Sequence, residues 1–147
     1  EIFNYSIKQL LAEVGEDILR IRNDDSLDSP AKIIRVLSNI IDHLEANCRL
    51  LRVILDYLLH LSRSGLNPET RVRRRTVRLR HILASIMIEG VKAGELPPVN
   101  IKTADDLFYS LIEAAIFRLV VLKRDSTGGL KEDIELAARG LVGTVHN

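Results

Sequence analysis

Leu107-Phe108-Tyr109-Ser110-Leu111-Ile112-Glu113-Ala114-Ala115-Ile116-Phe117-Arg118-Leu119-Val120-Val121-Leu122 carries only two formal charges, Glu113 and Arg118. At 100° per residue, Leu111, Ala115 and Leu122 fall on one side of a helix, while Ala114, Phe117 and Val121 fall on another. A helix that is apolar nearly all round must be covered on every side, so this stretch requires other helices packed about it. Either it is the central helix of a monomeric core, or one of its sides meets a second molecule.

Working outward, the flanking segments carry helix signals. Phe3, Ile7, Leu10, Leu11, Val14, Ile18 and Ile21 keep the spacing of one helix face and predict a first helix over about residues 1–22. The polar run 23–28 is a loop, with Ser29 expected as N-cap and Pro30 at the first helical position. From Ala31 to Ser64 there is neither Gly nor Pro. A single helix of that length is unusual in a globular domain, so a break is expected near Asn47, which can cap the next helix. That third helix carries Leu50, Leu51, Ile54, Leu55, Leu58 and Leu61 and ends at Gly65.

Asn67-Pro68-Glu69 opens a fourth helix to about Ala93, with Val72, Thr76, Leu79, Leu83, Ile86 and Met87 on its apolar face. Gly94 and Pro97-Pro98 end it. Thr103-Ala104-Asp105-Asp106 is expected to act as a capping box for a fifth helix to about Lys123. After the Asp125–Gly129 loop, Leu130, Ile134, Ala137, Ala138 and Leu141 mark a sixth helix. With no strand-like alternation and no internal repeat, the expected architecture is a single all-α, six-helix bundle domain.

Composition bounds the function. The chain has 147 residues, 46% hydrophobic and 28% charged, which suits one globular domain and excludes disorder or a collagen-like structure. Its 21 Lys+Arg nearly balance 20 Asp+Glu, so no global field favours nucleic acid or an anionic membrane. Cys48 is the single cysteine and cannot form an internal disulfide, which fits a reducing compartment. No apolar stretch reaches the roughly 18 residues of a membrane span, so a soluble protein without a membrane partner is expected. Glu1 in place of Met, with no charged leader before an apolar run, suggests processing or truncation and no signal peptide.

The run Ile88-Glu89-Gly90-Val91-Lys92-Ala93-Gly94-Glu95-Leu96, followed by Thr103-Ala104-Asp105-Asp106-Leu107 and the apolar helix, resembles the regulatory domain of TetR-family transcriptional repressors. In that family a long helix ends in a similar Glu-Gly-x-x-x-Gly-Glu-like turn before two dimerising helices. Glu1-Ile2-Phe3 is similar to the point just after the family's DNA-binding helices. The resemblance therefore implies a ligand-sensing domain whose helix-turn-helix head is missing from this chain, in a cytoplasmic homodimer from a bacterium or archaeon. DNA would be bound only through that absent head. Dimerisation would use helices about 104–124 and 130–142, through Phe108, Leu111, Ile112, Ala115, Ile116, Leu119, Ile134, Ala138 and Leu141. The effector would be a small hydrophobic or cationic molecule enclosed by helices two to five.

Effector pockets are apolar cavities with a few placed polar groups, so polar residues inside apolar helical stretches are the candidates. His43 and Asn47 continue a row from Asn39 on the second helix, and Tyr57 and His60 lie on the third. Each could contact a ligand or be paired internally; Asp56, four residues before His60, is one such partner. Ser85 lies near the apolar face of the fourth helix, and Tyr109 and Glu113 share a stripe of the fifth. A carboxylate at Glu113 in apolar surroundings needs either a cationic ligand or an Arg partner.

Arg71-Val72-Arg73-Arg74-Arg75-Thr76-Val77-Arg78-Leu79-Arg80 is the one dense basic segment. It reads as a solvated face or, alternatively, as a contact of a helical interaction module for protein or nucleic acid, although it lacks the aromatic interleaving of a single-strand binding surface. No nucleophile elbow, phosphate loop, His-Glu-x-x-His or Glu-x-x-His spacing occurs, so neither an enzyme nor a metal or other cofactor is expected.

Overall fold

In the computed structural model the backbone is described for residues 2–65 and 68–143, and side chains for 8–60, 62–65 and 76–142. Six helices follow one another: α1 (Ile2–Arg22), α2 (Ser29–Ala46), α3 (Cys48–Arg63), α4 (Pro68–Lys92), α5 (Ile101–Ile116) and α6 (Leu130–Gly143). Among the described residues there is no strand, and no helix is long and apolar enough to cross a membrane. The expected all-α, six-helix architecture is therefore present, including the break at Asn47.

Helix α2 is the axis of the fold. Its Ile33, Val36, Leu37, Ile40 and Ile41 recur at i, i+3, i+4, i+7 and i+8, and all are buried. Helices α1, α4, α5 and α6 pack around that stripe. They supply Ile18; Leu83, Ile86 and Met87; Phe108, Ile112 and Ala115; and Leu130, Ile134 and Ala138. Among the described residues helix α3 contributes none to the buried cluster.

The helix starts differ from those expected. Asp28, not Ser29, caps α2, its Oδ1 accepting from Ala31 N at 2.9 Å. Ser29 is free for another task and donates to Glu95 Oε1 at 2.8 Å. A Cβ on Gly90 would lie 2.3 Å from the Ser29 Oγ, so only glycine lets α4 approach the start of α2 this closely. Gly94, with φ +77°, turns the chain out of α4, and the N–H groups of Glu95 and Leu96 both donate to Gly90 O. The Glu89–Leu96 segment is thus a helix stop that also pins α4 to α2. Asn100, not Thr103, caps α5 by accepting from Thr103 N, so the helix starts at Ile101. The expected capping box is absent because Asp106 instead receives hydrogen bonds from Arg80 and Lys102.

The apolar helix ends in an unforeseen way. After Ile116 it widens into a five-residue π-helical segment, Phe117–Val121, whose last bond runs from Leu122 N to Phe117 O at 3.0 Å. Widening leaves carbonyls without regular partners, and the Arg52 side chain of α3 supplies donors. Its Nε and Nη2 reach Leu119 O at 3.1 and 3.0 Å. Arg118 donates to Thr127 O at 2.7 Å, and the Thr127 hydroxyl donates to Glu45 Oε1 at 2.7 Å. The two arginines therefore hold the α5–α6 corner together.

Six of the residues expected at a dimer interface are consumed by the chain's own core. Phe108, Ile112, Ala115, Leu119, Ile134 and Ala138 are all buried within this one chain, which corrects their assignment as partner contacts. Leu111, Ile116 and Leu141 are half-buried. The apolar groups left at the surface here are Leu107, Phe117, Val121 and Leu122, together with Leu136 of α6 at 74% exposure.

Candidate ligand cavity

The helix stripes of the sequence converge on an apolar cavity of about 310 Å³. Helix α1 lines it with Leu11, Val14, Gly15 and Ile18, at i, i+3, i+4 and i+7. Helix α4 adds Thr76, Arg78, Leu79 and Ile82, helix α5 adds Tyr109, Ile112 and Ile116, and α2 closes one side with Ile40. An added Cβ at Gly15 would meet no atom within 4 Å, so the missing side chain is part of what keeps the space open.

Its polar groups are few and clustered. The Tyr109 hydroxyl lies 3.1 Å from the Thr76 hydroxyl, joining α5 to α4 across the cavity wall. The Arg80 guanidinium sits 4.8 Å from the centre of the Tyr109 ring and pairs with Asp106, which fixes the ring from outside. Arg78 is exposed at the cavity and, among the described residues, forms no ion pair. Among the described residues no acidic side chain lines the space.

Asp105, one helical turn before Tyr109, is buried, and its Oδ1 has no hydrogen-bond partner. Burial pushes its carboxyl up to about 6, against the attraction of Arg80 and His81 and with the repulsion of Asp106.

Of the seven ligand candidates read from the sequence, Tyr109 alone lines this cavity. His43 faces α1, with Nε2 at 2.9 Å from Asp17 Oδ2, while Asn39 donates to the same oxygen at 3.3 Å. The hydrogen bond from His43 is the main reason the Asp17 carboxyl is held below its ordinary range. Asn47 donates to His43 O and caps the end of α2. Tyr57 and His60 are exposed on α3, and among the described residues Asp56 and His60 form no ion pair. The Ser85 hydroxyl donates to Ile82 O at 2.8 Å, and the residue borders a polar groove with Ser29 and Glu95 instead.

Glu113 is exposed, so it needs neither of the partners proposed for it, a cationic ligand or an arginine. Among the described residues helix α3 supplies no lining side chain, and α1 takes the place expected for it. In the basic segment, Arg80 is committed to Asp106, and the side chains of Arg71, Arg73, Arg74 and Arg75 lie outside the described residues. The lining residues missed were those of α1, Ile40 of α2, and Thr76, Arg78, Leu79 and Ile82 of α4, while Ile112 and Ile116 are among those expected at a dimer interface. The available signal was Gly15, a glycine inside an otherwise regular amphipathic helix, which often marks a packing or functional reason.

The fold and site together define an all-α bundle with an apolar, hydroxyl-bearing cavity between α1, α4 and α5. Among the described residues no group of three or more His, Cys, Asp or Glu side chains is arranged to hold a metal ion. Comparison with protein-family models, curated proteins and solved structures gives no significant match.

Proposed function

We propose that this chain is the ligand-sensing, dimerising regulatory domain of a TetR-type transcriptional repressor, in which α1, α2, α4 and α5 enclose a small hydrophobic effector that alters DNA binding by a head outside this chain. The observation that carries it is the cavity of about 310 Å³, within the range of small-molecule sites and lined by apolar side chains with two facing hydroxyls. The resemblance of the Ile88–Leu107 region to that family adds to it, as does the apolar surface at Leu107, Phe117, Val121, Leu122 and Leu136, which suits a second copy of the chain. The cytoplasm is the compartment such a repressor would occupy.

Two measurements test this function. A molecule binding only the native state raises its stability, by about 2.7 kcal/mol at a hundredfold excess over Kd. Thermal unfolding against a broad panel of apolar compounds should therefore show clear shifts for some of them, and a flat response would defeat the proposal. Light scattering at micromolar concentration should give twice the 16.6 kDa chain mass. A stable monomer would remove the dimerisation half.

A further inference from the structure

We infer that the cavity selects an apolar molecule ending in a carboxylate, with Arg78 as the charge that receives the head group. The inference rests on the proposed effector role of the cavity and assigns its ligand chemistry. Among the described residues, the walls from α1, α2 and α5 are hydrocarbon apart from the Tyr109 hydroxyl, and no acidic side chain borders the space. Among the described lining residues the one charge is Arg78 on α4.

The other nearby guanidinium, Arg80, is already neutralised by Asp106 and stacked on Tyr109. Arg78 has no such partner among the described residues. A carboxylate there gains a charge-assisted hydrogen bond from a guanidinium whose fork matches its two oxygens. A quaternary ammonium would meet like charge and no counter-ion.

Size sets the tail. At roughly 30 Å³ per water-sized group, the cavity holds about ten such groups, which suits a medium-length alkyl chain.

Calorimetric titration of the chain with decanoate, decanol and decyltrimethylammonium, each below its micellar concentration, separates head-group preference from tail binding. Decanoate should bind roughly two- to fivefold tighter than decanol, the span of an exposed charged contact, and the cation weakest. In Arg78→Gln the preference for decanoate over decanol should vanish while decanol affinity stays within about twofold, and Arg78→Lys should keep part of the preference. Arg78 is exposed, so these variants leave the core untouched. Equal binding of decanoate and decanol, an unchanged preference in Arg78→Gln, or tightest binding of the cation would overturn the assignment of Arg78 and leave the cavity role standing. If decanol also fails to bind, the effector cavity itself falls, and the assignment with it.

Discussion

Gly15→Leu probes the cavity without disturbing any existing contact. Gly15 lies mid-helix in α1, and a Cβ there meets nothing within 4 Å, so the new side chain grows into the space between α1, α4 and α5. Replacing glycine in a helix interior contributes about 0.8 kcal/mol from backbone propensity. Covering about half of the leucine side chain adds roughly 1 kcal/mol. The sum, about 2 kcal/mol, should raise Tm by roughly 4–8 °C in a domain of this size, measured by circular dichroism at 222 nm or scanning calorimetry. Gly15→Ala takes the same propensity gain with little added burial and should give about half that rise. The same leucine removes about four of the ten water-sized volumes, so any ligand of the cavity should bind at least tenfold more weakly to Gly15→Leu and nearly unchanged to Gly15→Ala. A fall in Tm for both variants would mean that α1 closes onto α4 and α5, and that the cavity is not a feature of the folded protein.

Three further outcomes follow from the polar contacts. Arg52→Met removes the guanidinium donors from Leu119 O and should lower stability by about 1–2 kcal/mol, with amide exchange rising first at 119–124, as followed by NMR. His43→Ala should cost about 1 kcal/mol at pH 7 by removing the main hydrogen bond to Asp17. Because the folded-state pKa of Asp17 lies below its ordinary 3.8, that contribution is present above pH 3.8 and fades as pH falls through the folded value, so urea titrations of wild type and variant should converge in acid. Asp105 has the opposite sign: its folded pKa is raised to about 6, so it favours the fold fully below 3.8 and loses that advantage as pH rises through 6. Asp105→Asn should therefore flatten the decline between pH 4 and 7, which for a shift of this size is about 3 kcal/mol, and an unchanged slope in urea titrations would remove Asp105 as its source.

The helices were legible because their signals are local. The i, i+3, i+4 spacing of Ile33, Val36, Leu37, Ile40 and Ile41 and the break at Asn47 need only the neighbouring sequence. Cap positions shifted by one to three residues because competing acceptors stand side by side: Asp28 beside Ser29, and Asn100 three residues before Thr103. What decided each was distant, since Ser29 is claimed by Glu95 and Asp106 by Arg80. The site was poorly legible for the same reason. A polar residue in an apolar stretch marks either a ligand contact or an internal tie, and for His43 the tie is Asp17 on another helix, 26 positions earlier. The cavity is defined by what is missing at Gly15 and by where four helices fail to meet, and a single stripe on one helix does not encode that. The interior burial of Phe108, Ile112 and Ala115 follows from α2 and α6 closing over one side of α5, and Leu119 lies in the π-helical segment packed on α3; the all-round apolar pattern left both open between core and partner.

The placement of the cavity also says how occupancy could matter to the rest of the fold. Helix α1 packs chiefly on α2, where Ile18 enters the core and Asp17 is tied to Asn39 and His43. Among the described residues it presents Leu11, Val14 and Gly15 to the open space toward α4 and α5. A molecule lodged there touches α1, α4 and α5 at once and supplies contacts that exist only when it is bound. Such a molecule shifts the position of α1 only by the difference in its affinity for the two arrangements, and a tenfold preference corresponds to about 1.4 kcal/mol. The Thr76–Tyr109 hydroxyl pair is braced by Arg80 and Asp106, so α1, on the other side of the cavity, is the wall expected to respond. Ligand binding should therefore slow amide exchange along Leu11–Ile18 far more than along α5 near Tyr109. Equal protection of both would mean that the ligand stabilises the bundle as a whole and carries no directed signal through α1.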